Sequence, residues 1–158
     1  MALREIYTSP ATCLREKSVE IKKLLRKHKH LISDMVDTIE HHASIGLAAP
    51  QVGENTQIAV IDLRVTNSKD TVSQHEDSNF PGYLVLINPE VIDGMGDITI
   101  EEGCLSIPGS TFSKMRAYIS VTRYLDTDMR HREITAGGIL SIAIQHETDH
   151  LNGILVSD

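Results

Sequence analysis

The chain has no apolar run near the roughly 20 residues that a membrane-crossing helix needs, which excludes a helical membrane protein. Residues 1–10 carry Arg4 and Glu5 and lack the apolar stretch of about 7–15 residues of a secretory signal, so a cytoplasmic location is expected. Cysteine is scarce. Cys13 and Cys104 allow at most one disulfide, and in a reducing compartment a free thiol or a metal ligand is the better reading. Cations are the minority charge, 15 Lys and Arg against 22 Asp and Glu. The net charge of −7 argues against DNA and membrane partners, so any nucleic-acid contact has to be local. Internal repeats and low-complexity tracts are absent too, although 66–79 is predominantly polar and reads as a surface loop.

What is present is enough to fold. At 158 residues, 41% hydrophobic and 23% charged, the chain suits one core and a single domain over 1–158. Leu24, Leu25, Leu31, Ile32, Met35, Val36 and Ile39 recur at helical spacing and predict an N-terminal amphipathic helix over 22–43. The cations among them, Lys22, Lys23, Arg26, Lys27 and Lys29, read as its solvated face. Strands are predicted over 58–63, 84–87, 98–100 and 118–125, and a second, apolar helix over 139–151, stopped by Gly153. Strands framed by an early and a late helix suggest an α+β domain and not a doubly wound one.

The second helix contains His146-Glu147-Thr148-Asp149-His150, a His-Glu-x-x-His pattern. One helical turn separates the two imidazoles, so both leave one face and can converge on a metal, while Glu147 can act as general base without being a ligand. A catalytic site of this kind normally has a third protein ligand. Only residues 151–158 follow His150, and Val156 stands where an extended motif would place another His. Upstream, Cys104 lies at the end of a predicted strand among turn residues and is the best third ligand. Cys13, His28, His30, His41, His42, His75 and His131 have no such context, and the histidines are read as surface residues. The small residues of 44–53 permit a close backbone approach and Gln51 offers an amide, although a packed helix-to-strand connection would look similar.

Together, Gly46-Leu47-Ala48-Ala49-Pro50-Gln51, Glu102-Gly103-Cys104-Leu105-Ser106 and Gln145-His146-Glu147-Thr148-Asp149-His150-Leu151 resemble the three signature motifs of peptide deformylase, in order. The resemblance implies a small α+β fold with short antiparallel sheets around a central His-Glu-x-x-His helix. It implies hydrolysis of the N-formyl group from formyl-methionyl nascent peptides, with release of formate. Cys104, His146 and His150 would hold one divalent metal, ferrous iron in the cell, with zinc, nickel or cobalt as substitutes. Glu147 would be the base acting on a metal-bound water, with Gln51 and the Leu105 N–H donating to the oxyanion. Ile45, Gly46, Gly103, Ile142 and Ala143 would contact substrate, and Glu102 would pair with Arg116 to brace the site.

Two departures from the family stand out. Ser44 replaces a usual glycine, and the C-terminal helix that the family uses to dock near the ribosomal exit tunnel has no counterpart before Asp158. The competing readings are a small metallopeptidase and a non-catalytic metal- or peptide-binding domain. Against the first stands Cys104, and against the second the retention of Glu147 and Gln51.

Overall fold

Five strands pair antiparallel in chain order: β1 (Gly46–Ala48), β2 (Ile58–Asp62), β3 (Tyr83–Cys104), β4 (Ile107–Leu125) and β5 (His131–Gly137). The computed structural model describes residues 2–66 and 76–158 and adds three α-helices, α1 (Arg26–His42), α2 (Leu63–Thr66) and α3 (Gly138–Leu151), with short 3-10 turns at Thr12–Arg15 and Ala49–Val52. None of the described helices is long and apolar enough to cross a membrane.

The near-continuous apolar runs of β2 and the start of β3 are buried on every residue because helices cover both faces of the sheet. Ile58, Val60, Tyr83, Val85 and Ile87 pack on one side against Leu31, Ile32, Met35 and Ile39 of α1. Ala59, Ile61, Leu84 and Leu86 pack on the other against Leu140, Ala143 and Ile144 of α3. Each large side chain buried in this way contributes about 1.5–3 kcal/mol. α3 therefore lies inside the molecule, with Gln145 and His146 partly exposed and Glu147 and His150 buried.

Beyond Ile87 the β3–β4 pair leaves the core as a long hairpin arm. Its register shifts between Ile87 and Glu90 and between Val91 and Asp93, and such irregularities bend a ribbon. At Gly94 a Cβ would stand 2.9 Å from that of Ala117, so the strands need glycine there to come this close. The arm is latched to α3. Gln145 accepts from the Ala117 N–H (3.0 Å) and donates to the Ala117 carbonyl (2.8 Å), and the Ser141 hydroxyl donates to that of Ser120 (2.8 Å). The arm thus folds back and sets its tip, Cys104 to Ile107, beside the helix.

The α+β class and the antiparallel sheet agree with expectation, while several boundaries move. The first helix begins at Arg26, not at 22, and the separate strands expected over 84–87 and 98–100 are parts of one β3. Neither β1 nor β5 is apparent from sequence pattern. His28, expected at the surface, is buried, and its Nδ1 accepts the N–H of the N-cap residue Leu25 at 3.0 Å, the reach-back contact of an N3 side chain onto the N-cap backbone. Of the expected loop over 66–79, Thr66 ends α2 and Asp77 pairs with Phe80 in an isolated bridge, while 67–75 lies outside the described residues.

Candidate active site

Three elements converge at the arm's tip. β3 ends in Cys104, α3 presents His146 and His150 one turn apart, and β1 with the turn after it brings Gly46 and Gln51. The Cys104 Sγ lies 3.3 Å from His150 Nε2, and one donor atom each from Cys104, His146 and His150 fall within 4.8 Å of one another. Donors around one tetrahedral ion stand about 3.5 Å apart, so this thiol and these imidazoles fit a single metal, and the mixed sulfur and nitrogen set suits iron or zinc.

The two imidazoles are held differently. His146 Nδ1 meets Glu102 Oε1 at 2.8 Å, and Glu102 accepts two bonds from Arg116, each 2.9 Å. Arg116 also donates to Asp149 at 2.6 Å, so a continuous chain runs from the helix, through the arm, and back to the helix. Burial alone would raise the Glu102 pKa, but His146 and Arg116 outweigh it and hold the carboxyl down at about 2. For His146, burial disfavours the charge while Cys104 and Glu102 favour it more, lifting the pKa to about 10. A divalent cation competes with that proton for the ring. His150 has no such support, since its Nδ1 is buried without a hydrogen-bond partner among the described residues. Burial and the neighbouring His146 push its pKa down to about 3, which keeps the ring neutral and ready to ligate.

Glu147 is buried beside this cluster, with Oε1 unpartnered among the described residues. Burial raises its pKa to about 7. Gly46 is needed here for room, because a Cβ at that position would sit 3.0 Å from Glu147 Oε2 and 3.0 Å from the Val60 carbonyl. The Gln51 amide is oriented by two neighbours. Its Oε1 accepts the Ala48 N–H at 2.9 Å, and its Nε2 faces Ser106 Oγ at 3.2 Å and Cys104 Sγ at 3.6 Å.

Cys104, His146, Glu147 and Gln51 line a cleft of about 580 Å³, with His150 buried behind Cys104. Ile45, Gly46, Gly103, Leu105, Ile142 and Ala143 all border it, with Ile45 exposed at the rim and Ile142 and Ala143 buried deeper. A larger hollow of about 760 Å³ lies behind α3, but its lining of groups such as Ser18, Gln57 and Asn88 includes none of the three metal-donor residues. All the site residues read from sequence are therefore gathered at one place. Two partners were not read there. Asp149, inside the His-Glu-x-x-His pattern, is the second carboxylate on Arg116, and Ser106, inside the Cys104 segment, is the hydroxyl beside Gln51. No spacing rule flags either. Ser44 donates to the Gly46 carbonyl at 2.9 Å, so the hydroxyl at this variant position fastens the turn entering β1.

Comparison with known proteins gives a consistent result. A family model described as polypeptide deformylase matches residues 3–158. The peptide deformylase of Syntrophobacter fumaroxidans is 40% identical over 159 residues, covering 100% of this chain and 86% of that protein. The crystal structure of peptide deformylase from Thermotoga maritima superposes with a TM-score of 0.87 at 29% identity, covering 100% of this chain and 97% of that one. The structure of a Synechococcus elongatus peptide deformylase in complex with actinonin gives 0.85 at 35% identity, covering 98% and 77%.

Proposed function

Because the chain belongs to the peptide deformylase family, we propose that residues 1–158 form one catalytic domain that hydrolyses the N-formyl group of formyl-methionyl nascent peptides in the cytoplasm and releases formate. One observation carries this reading: Cys104, His146, the buried Glu147 and Gln51 line one cleft, and His150 completes the donor group from just beneath it, its Nε2 3.3 Å from the Cys104 Sγ.

Cys104, His146 and His150 would hold one divalent cation, ferrous iron in the cell and zinc, nickel or cobalt by replacement, which when bound would supply Lewis acidity at the floor of the cleft. Glu147 takes the proton of the attacking water and later delivers one to the departing amine. A carboxyl whose pKa burial sets at about 7 exchanges protons in both directions near neutrality. Gln51 Nε2 and the Leu105 N–H donate to the oxygen that becomes negative, and the Ala48 N–H fixes which end of the Gln51 amide faces it. Gly46 and Gly103 let the substrate backbone approach β1 and the end of β3, in the manner of an added strand. Ile142, Ala143 and Ile45 give the methionine thioether an apolar surface. Glu102, held by Arg116, keeps the His146 ring turned toward the metal position.

The test is formate release from a formyl-methionyl tripeptide, with protein purified without oxygen. Activity on the formyl peptide, none on internal peptide bonds, and a loss of at least about 10³-fold in kcat for Glu147→Gln are expected. Cleavage of an unformylated peptide would favour the metallopeptidase, and metal binding without turnover the binding domain.

A further inference from the structure

The first turn of α1 and the segment that leads into it carry charge for which the fold has no use. Lys17, Lys22, Lys23, Arg26, Lys27 and Lys29 stand against the single carboxylate Glu20, a local charge of +5 in a chain of net charge −7. All six cations are exposed, and none of their side chains has an ion-pair or hydrogen-bond partner among the described residues. Elsewhere Arg4, Arg15, Arg64, Arg116, Arg123 and Arg132 each meet a carboxylate.

The placement works against the helix. The N-terminus of α1 is already the positive end of the helix dipole, its first turn holds no acidic residue, and Arg26 and Lys29 are like-charged neighbours one turn apart. A face meant only for water mixes its signs. This one is six cations to one carboxylate, and the helical part, Arg26, Lys27 and Lys29, sits at the end where positive charge is least favourable, which fits an anion supplied from outside the chain.

The chemistry around the patch selects among anions. A lipid surface needs an apolar helix face to insert, and that of α1 is committed to the core through Leu31, Ile32, Met35 and Ile39. A protein partner needs an aromatic or apolar anchor, whereas 17–30 contains no Phe, Tyr or Trp and exposes only Val19 and Leu25. A phosphate backbone needs neither. Long, mobile cations that neutralise closely spaced charges are sufficient. The far end of the same helix reaches the cleft, since His42 and Ala43 border it, and 17 helical residues span about 25 Å.

We infer that the basic N-terminal end of α1, with the lysines of the segment leading into it, docks on the phosphate backbone of RNA, with the acidic remainder of the protein and the open cleft turned away from it. The choice of RNA over DNA rests on the proposed action on peptides under synthesis, while the docking chemistry does not depend on that action.

The test is fluorescence anisotropy of a labelled single-stranded RNA of about 20 nucleotides with the full chain, over about 50–200 mM salt. Binding in the micromolar range is expected at the lowest salt, with log Kd rising against log salt at a slope of about 4 for six contacts on a single strand. Lys22→Glu/Lys23→Glu/Lys27→Glu should weaken binding more than about tenfold and leave formate release unchanged, while Lys114→Glu on β4 changes neither. Should the triple variant misfold, Lys23→Gln and Lys27→Gln alone should each lower the slope by about 0.7. No binding at about 50 mM salt, equal affinity for poly-glutamate of matched charge, or capture by anionic vesicles without RNA binding would each overturn the inference. Failure of formate release alone would overturn the activity and leave the docking surface standing.

Discussion

Residues 83–87 and 93–99 belong to the same strand and live under opposite constraints. The first stretch is buried on every residue between two helices, whereas the second is exposed or half-exposed throughout, with Met95 at 57%. Yet it is the exposed stretch that leads to Cys104, the residue whose position matters most. The core holds its part of the strand by apolar area. The arm has little of that, and its tip is placed instead by directed polar contacts: Gln145 on the Ala117 backbone, Ser141 on Ser120, and the chain from His146 through Glu102 and Arg116 to Asp149. Area tolerates small displacements and a hydrogen-bond chain does not, so stability and site geometry are divided between the two ends of one strand.

This division can be broken at either end. The largest effect is expected at Arg116→Met, which strands the buried Glu102 carboxylate. It should cost about 3–5 kcal/mol in urea unfolding and lower metal affinity as well. Glu102→Leu/Arg116→Met should restore most of the stability and none of the affinity, and Glu102→Gln alone should weaken metal binding about 10–100-fold. At the core end, Leu86→Ala should cost about 2–5 kcal/mol while metal bound per folded chain stays the same. Loss of metal there would show that core and tip are not separable.

A third effect concerns pH. Burial raises the pKa of Asp126, but the Arg130 and Asp128 N–H groups and Arg132 outweigh it and hold the carboxyl below its usual value. A folded pKa below the unfolded one means stability that is present above the unfolded value, about 3.9, and lost as pH falls through the folded one. The urea midpoint should therefore drop in acid, and drop less in Asp126→Asn. The smallest effect is expected on the arm's outer face, where Met95→Thr and Met115→Thr should stay within about 0.5 kcal/mol and leave kcat unchanged.

The same contrast explains what was legible in the sequence. β2 and α3 were readable because buried elements are written in runs of Ile, Leu, Val and Ala. β5 was not, because of its seven residues His131, Arg132 and Glu133 face solvent and its first apolar residue is Ile134. The start of α1 was placed four residues early because helical spacing continues through Leu24 and Leu25 with no Ser, Thr, Asp or Asn cap to stop it. The burial of His28 depends on a backbone N–H three residues away, which pattern does not reveal. At the site, His146, Glu147 and His150 were legible because a helix fixes their spacing. Cys104, Gln51 and Glu102 came from the family resemblance and the need for a third ligand, and only the bent arm brings them together. Asp149 and Ser106 act through partners distant in sequence, which spacing cannot encode.

The most direct measurement is metal content and formate release in one sample, titrated from metal-free protein, for the parent chain and Cys104→Ala. The account predicts activity that rises in proportion to metal and saturates at one equivalent per chain, with both tight binding and turnover lost in the variant. Full turnover by Cys104→Ala, or turnover by the metal-free chain, would contradict it.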